Sequence, residues 1–215
     1  MSLIARNLSD QLVEVVRDRI LSGVVSCDHA IRQDALAAEL GVSKIPLREA
    51  LARLEEEGLV RSQANRGFFV RSLCAAEAQE VYALRIKLEP GATALAATRA
   101  TEADHAHAIE TLDLLDRVTE AHSESVGACN RAFHRALFRP CHQPVTVSIL
   151  ERLQILSERY VRVHLEPLGR DVRANGEHRA LLQAWIVRDV DLVDELVNAH
   201  LGKTLDDLRQ QLAGD

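Results

Sequence analysis

Residues 34–71 read DALAAELGVSKIPLREALARLEEEGLVRSQANRGFFVR, and no other stretch narrows the fold as far. Leu36 and Leu40 stand one turn apart in a short helix predicted over residues 33–40. Gly41 follows and tolerates the positive φ of a tight turn. Ser43 is placed to cap the next helix, and Pro46 falls in that helix's first turn, where a missing N–H costs little. Leu47, Leu51 and Leu54 face inward from it, which leaves Lys44, Ile45, Arg48 and Arg53 on or near the exposed side. The chain then runs through Leu59–Gln63, turns at Asn65-Arg66-Gly67 and returns through Phe68–Val70, a hairpin pattern. Helix, tight turn, helix and two-stranded ribbon is the order of a winged helix-turn-helix, which lays its second helix in the DNA major groove. A helical hairpin followed by an ordinary β-hairpin is the plainer alternative.

Upstream, Ser9 is expected to cap a helix over residues 10–22, with Leu12, Val15, Val16 and Ile20 as its apolar stripe and Gly23 as its stop. Charge is unevenly spread. Residues 1–72 hold ten Lys/Arg and ten Asp/Glu, so the net charge of −6 falls on the remainder, and the N-terminal part is the less repulsive one for phosphate. Arg61, Arg66 and Arg71 cluster on the ribbon. Aromatic residues make up only 3% of the chain, so the core must be built from Leu, Val, Ile and Ala, which suits a mostly helical protein. No apolar run is long enough to span a membrane, and MSLIARNL reaches charge too soon for a signal peptide. Cys27, Cys74, Cys129 and Cys141 form no C-x-x-C pair. A reduced, cytoplasmic protein without membrane association is the expectation.

Ser72-Leu73-Cys74 reads as a short linker between a winged helix-turn-helix domain at 1–72 and an all-helical domain at 73–215. The helical period then continues to the end. Its apolar marks are Val81, Leu84, Leu88 and Leu95; Ile109, Leu112 and Leu115; and Phe133, Leu137 and Phe138, stopped near Pro140. Ile149, Leu153, Leu156, Tyr160 and Val163 follow, with Pro167 just past them. Leu181, Leu182 and Trp185, then Val193, Leu196 and Val197, complete the series. The expected fold is mostly α: the winged head plus an antiparallel six- to seven-helix bundle.

Three histidines lie on inward stripes of that bundle. Asn130 and His134 share a face that Leu137 and Cys141 continue. His178 precedes Leu181, Leu182 and Trp185 by helical spacings, and His200 follows Leu196 and Val197 in the same way. His105, His107 and His122 sit among charges and read as solvated. A lone inward His is usually a hydrogen-bonded core residue. Three converging neutral imidazoles are natural ligands of Zn²⁺ or a similar divalent ion. Spacing alone leaves both readings open. Arg85, one turn from Val81, either reaches solvent or pairs with Glu89, or else its guanidinium grips the carboxylate of a ligand.

The run G-V-S-K-I-P-L-R-E-A-L-x-R-L-E-x-E-G-L-V at 41–60, followed by N-R-G-F-F-V, resembles the DNA-binding domain of the GntR family of bacterial transcription regulators. The family's usual helix start is S-R-T-P, where this chain has Ser43-Lys44-Ile45-Pro46, and many relatives carry Arg where it has Asp34. The resemblance implies that Lys44 and Arg48 enter the groove and that Asn65 and Arg66 form the wing tip.

Residues 75–212 resemble the all-helical FCD ligand-binding domain of the FadR-type branch. The motifs are V-Y-A-L-R-x-x-L-E at 81–89, N-R-x-F-H-x-x-L at 130–137, E-H-x-x-L at 177–181, and His200. Members with this pattern hold a divalent metal through an Asp or Asn and three histidines, which map here to Asn130, His134, His178 and His200. The resemblance implies zinc as the first choice, with nickel or another transition metal also compatible. It further implies a small organic acid effector gripped by Arg85, and a homodimer on an inverted-repeat operator in double-stranded DNA, acting as a repressor rather than an enzyme. Two alternatives remain at this level: a regulator for which the metal is itself the signal, and a hydrolytic metalloenzyme.

Overall fold

The computed structural model describes the backbone of residues 3–25, 29–123, 125–165 and 170–212, and side chains from residue 8 onward within those ranges except at 162–165. The side chain of Val163, and Cys27 and Pro167, lie outside them. The chain divides into two compact units, Met1–Ser72 and Leu73–Asp215. Among the described residues no helix is long and apolar enough to cross a membrane.

The first unit contains α1 (Leu3–Leu21), α2 (Gln33–Glu39), α3 (Lys44–Glu56), β1 (Val60–Gln63) and β2 (Gly67–Val70). Leu47, Ala50, Leu51 and Leu54 are fully buried at helical spacing on α3, against α1. Both α2 and α3 end in the same device. Gly41 (φ +64) and Gly58 (φ +84) take the left-handed conformation just past each helix. The N–H groups of Gly41 and Val42 bond back to Ala38 and Ala37, and those of Gly58 and Leu59 bond back to Glu55 and Leu54. This is the Schellman arrangement, which satisfies carbonyls the helix leaves open. At the far end of α3, Glu57 takes two hydrogen bonds from Arg17 of α1, Nε–Oε2 at 2.9 Å and Nη2–Oε1 at 2.6 Å. The hairpin pairs Val60 with Val70 and Gln63 with Gly67 around a three-residue loop.

The first helix corrects the expectation built on Ser9. No Gly or Pro lies between residues 3 and 9, so α1 already runs from Leu3 and Ser9 is an interior, buried position. Val13 rather than Val15 shares the buried stripe with Leu12, Val16 and Ile20, and Val15 is exposed. Ser43 occupies the N-cap of α3, but its side chain makes no capping hydrogen bond.

Among the described residues the second unit contains six α-helices: α4 (Ala75–Arg99), α5 (Glu102–Glu120), α6 (Val126–Phe138), α7 (Pro144–Leu165), α8 (Arg170–Ile186) and α9 (Val190–Leu212), with a 3₁₀ turn at Arg139–Cys141. A reciprocal capping box between Thr101 and Asp104 starts α5. The central helix is α4, which packs on α6, α7, α8 and α9. Its C-terminal half is rich in buried alanine (Ala92, Ala94, Ala96, Ala97), and small side chains let neighbouring helices approach closely. The core adds Phe133, Leu137, Phe138, Tyr160, Trp185 and the leucines of α9. Leu84, Ile109 and Ile149 were expected inward and are exposed, while Ala108 takes the inward place beside Ile109. His105 was expected in solvent but is buried, its ring edge-on to Trp185 with centroids 5.4 Å apart.

Candidate metal centre and DNA-reading face

The three histidines come together in the interior of the bundle. Helix α6 carries His134 next to Phe133, α8 carries His178 between Ala174 and Leu181, and α9 carries His200 between Val197 and Leu201, so buried apolar neighbours turn each imidazole inward. One ring nitrogen from each lies within 4.8 Å of those from the other two. The Nε2 atoms of His178 and His200 are 3.3 Å apart. Two ligand nitrogens on a tetrahedral zinc, each about 2.0–2.1 Å from the ion, would be separated by about 3.3 Å.

Carboxylates stand behind two of the rings. Glu89 Oε1 lies 2.9 Å from Nδ1 of His134, and Glu177 Oε2 lies 2.7 Å from Nδ1 of His200. An Nδ1–H donated to a carboxylate fixes the tautomer and leaves the Nε2 lone pair for the centre. Burial pushes the His134 imidazole down to about 4 despite Glu89, so the ring is neutral near pH 7 and can act as a ligand. Burial would raise the Glu89 carboxyl, but the Arg85 charge and the His134 contact outweigh it and hold it well below the usual carboxylate range. The same contest leaves Glu177 at about 2, where hydrogen bonds from His200 and Lys203 prevail over burial.

A small cavity that opens to solvent adjoins the cluster. Tyr82, Arg85, Asn130 and the three histidines all line it. Arg85 is only 2% exposed and is bound to Glu89 (Nε–Oε2 2.8 Å, Nη2–Oε1 3.1 Å) and to Ser157 (3.0 Å). The pairing with Glu89 is therefore formed. Gln154 donates to the same Glu89 oxygen as His134, at 3.0 Å.

The second face belongs to the N-terminal unit. Lys44 opens α3 and forms an ion pair with Asp34 of α2. Ile45 is 71% exposed. Arg48 is exposed and has no ion pair among the described residues, whereas Arg53 is held by Asp10 of α1 at 2.6 Å. At the hairpin tip Asn65 has φ +60, and the guanidiniums of Arg61 and Arg66 lie over the Phe69 ring, 5.3 and 5.9 Å from its centroid.

Residues 8–70 match the bacterial regulatory proteins of the gntR family, and residues 80–203 match the FCD domain. The chain belongs to the GntR family, in its FCD-containing branch. Among GntR relatives, BphR of Paraburkholderia xenovorans, an HTH-type transcriptional regulator, is 30% identical over 95% of this chain and 86% of its own. The Nta operon transcriptional regulator of Aminobacter aminovorans is 31% identical over 86% of each chain. The repressor GlaR of Escherichia coli is 27% identical over 93% of this chain and 95% of its own. The fold matches that of E. coli McbR/YncC with a TM-score of 0.82 at 23% identity, covering 95% of this chain and 98% of the other. These relatives are transcription regulators and not enzymes, which sets the metalloenzyme alternative aside.

Within this GntR frame, the bundle brings Asn130, His134, His178, His200 and Arg85 to one cavity, and the head places Lys44, Arg48, Asn65 and Arg66 at exposed positions. Glu89 and Glu177 were missed as partners of the histidines. The sequence did carry one signal, since each acid sits within a motif that also holds a site residue: Arg85 four before Glu89, and His178 directly after Glu177.

Proposed function

We propose that this DNA-binding regulator is a homodimeric repressor switched by a small organic acid at a divalent metal centre in its helical domain. The carrying observation is the convergence of three buried imidazole nitrogens, two of them backed by carboxylates. His134, His178 and His200 would hold the ion, with the side-chain oxygen of Asn130 as a fourth donor. Zinc suits an all-imidazole set, and nickel is compatible. A cation bound there offers an electrophilic position for one end of a carboxylate. Arg85 lines the same cavity and has five N–H donors, of which Glu89 and Ser157 take three, which supports it as the grip on the other end.

In the N-terminal domain, residues 1–72, Lys44 and Arg48 would enter the major groove, with Asn65 and Arg66 as the wing tip. Two heads in a dimer would read an inverted repeat. The effector switches binding only if it favours one arrangement of the two heads over the other. Metal analysis of the wild type against His134→Ala/His178→Ala tests the centre, and equal metal content in both sinks it. Operator titration with metal alone, and with metal plus candidate carboxylates, tests the effector. A full response to metal alone makes the metal itself the signal.

A further inference from the structure

Lys44 begins α3 and Asp34 lies in the first turn of α2, so their ion pair spans the two helices of the helix-turn-helix. Both side chains remain accessible, at 60% and 76%. An exposed pair of this kind contributes little to stability. An acidic residue at a helix start is also favourable to the helix dipole, a purely structural use of Asp34. Its location gives it a second use. Arg48, one turn along the same helix, is exposed with no ion pair among the described residues, while Lys44 is already neutralised.

We infer that Asp34 is an internal competitor for DNA phosphate, which limits the sequence-independent affinity of the head and its dependence on salt. The inference rests on the reading that α3 enters the groove. A phosphate that takes Lys44 must displace the Asp34 carboxylate, because the ammonium is the shared partner. The displaced carboxylate then stays near the DNA surface as a like charge. Both effects oppose binding to any duplex, since phosphates carry no sequence information. Arg48 is not subject to this competition, so its contribution is undiminished.

The test uses the full chain and a fluorescein-labelled duplex of random sequence, titrated by anisotropy over a range of salt. Asp34→Asn is expected to bind more tightly than the wild type, with a salt slope steeper by part of the about 0.9 that one phosphate contact contributes for each bound protomer. Between about 50 and about 200 mM salt, its affinity then falls further than that of the wild type, with about 3.5-fold per protomer as the ceiling set by one whole contact. Lys44→Ala is expected to bind more weakly with a shallower slope. In the Lys44→Ala background, where only the like-charge effect remains, Asp34→Asn should steepen the slope less than it does in the wild type. Asp34→Ser, also suited to a helix start, serves as the second variant, and far-UV circular dichroism checks that the helices persist. If Lys44→Ala weakens binding but both Asp34 variants keep the wild-type slope, the competition is refuted and the groove reading survives. If Lys44→Ala changes nothing, the groove reading itself fails and the inference falls with it.

Discussion

Glu89→Gln changes one side-chain atom and should be among the costliest single substitutions in the bundle. Glu89 is 1% exposed and accepts four hydrogen bonds: two from Arg85, one from Gln154 and one from His134. Its Oε1 takes three of them and its Oε2 takes Arg85 Nε. A glutamine can keep the oxygen on the first three, but its NH₂ then faces the Arg85 N–H, donor against donor. Arg85, 2% exposed, is left as a buried cation without its counter-charge. Removing one partner of a buried ion pair costs about 3–5 kcal/mol. For a unit spanning Leu73–Asp215, that corresponds to a fall in melting temperature of about 10–20 °C.

The chain contains one tryptophan, Trp185, fully buried in this bundle, so its fluorescence follows the bundle alone in the intact protein. Chelator-stripped protein should be melted, because a bound metal adds its own stabilisation. The double variant Arg85→Met/Glu89→Gln removes the charge from both sides and should recover most of the loss. A Glu89→Gln melting curve that overlays the wild type would refute the argument. A double variant no more stable than Glu89→Gln would show that the missing charge is not the origin of the cost.

Glu177→Gln should weaken metal retention about 10–100-fold by loosening the His200 ring, as read by chelator competition, and unchanged retention would remove the orienting role. Arg48→Ala should cost about 1–3 kcal/mol on a duplex selected from a random pool, and an unchanged affinity would mean that α3 does not read the groove. Gly41→Ala should destabilise the head by about 1–2 kcal/mol in a circular dichroism melt, purely from backbone strain. The strain follows from φ +64, with nothing beyond the adjacent residues within 4 Å of the added Cβ, so a stability equal to wild type would contradict the conformation assigned to this turn.

What could be read from sequence was local. Leu47, Leu51 and Leu54 repeat at helical spacing beside Gly41 and Gly58, and both glycines act within a few residues of themselves. His134, His178 and His200 were legible because each lies three or four residues from apolar side chains that share its face. Glu89 and Glu177 were not, because their partners stand 45 and 23 residues away and no helical period connects them. His105 misled through its neighbours: Glu102 and His107 point to solvent while Trp185, from α8, covers the ring. Leu84, Ile109 and Ile149 failed for a related reason. A small residue such as Ala108 fits a close helix contact better than the large one beside it, and hydrophobicity alone does not report size.

The charge balance of the cavity bears on what it can hold. Arg85 and Glu89 cancel one another, and burial keeps His134 neutral. Asn130 contributes a neutral amide rather than a carboxylate. The carboxylate of Glu177 lies behind His200 and is already shared with Lys203 at 2.9 Å and Arg173 at 3.8 Å. The ligand set of the proposed centre thus supplies no net negative charge of its own. A divalent cation there would keep its full charge in a buried site, where uncompensated charge is expensive. An anionic effector relieves that cost, so the metal and the acid should bind cooperatively, each raising the affinity of the other by the same factor. Asn130→Asp breaks this coupling by design, since it supplies the missing charge. Isothermal titration should then find tighter metal binding without acid and a smaller gain when acid is added. If the variant shows the wild-type gain, the charge argument for Asn130 is wrong even where the histidine centre stands.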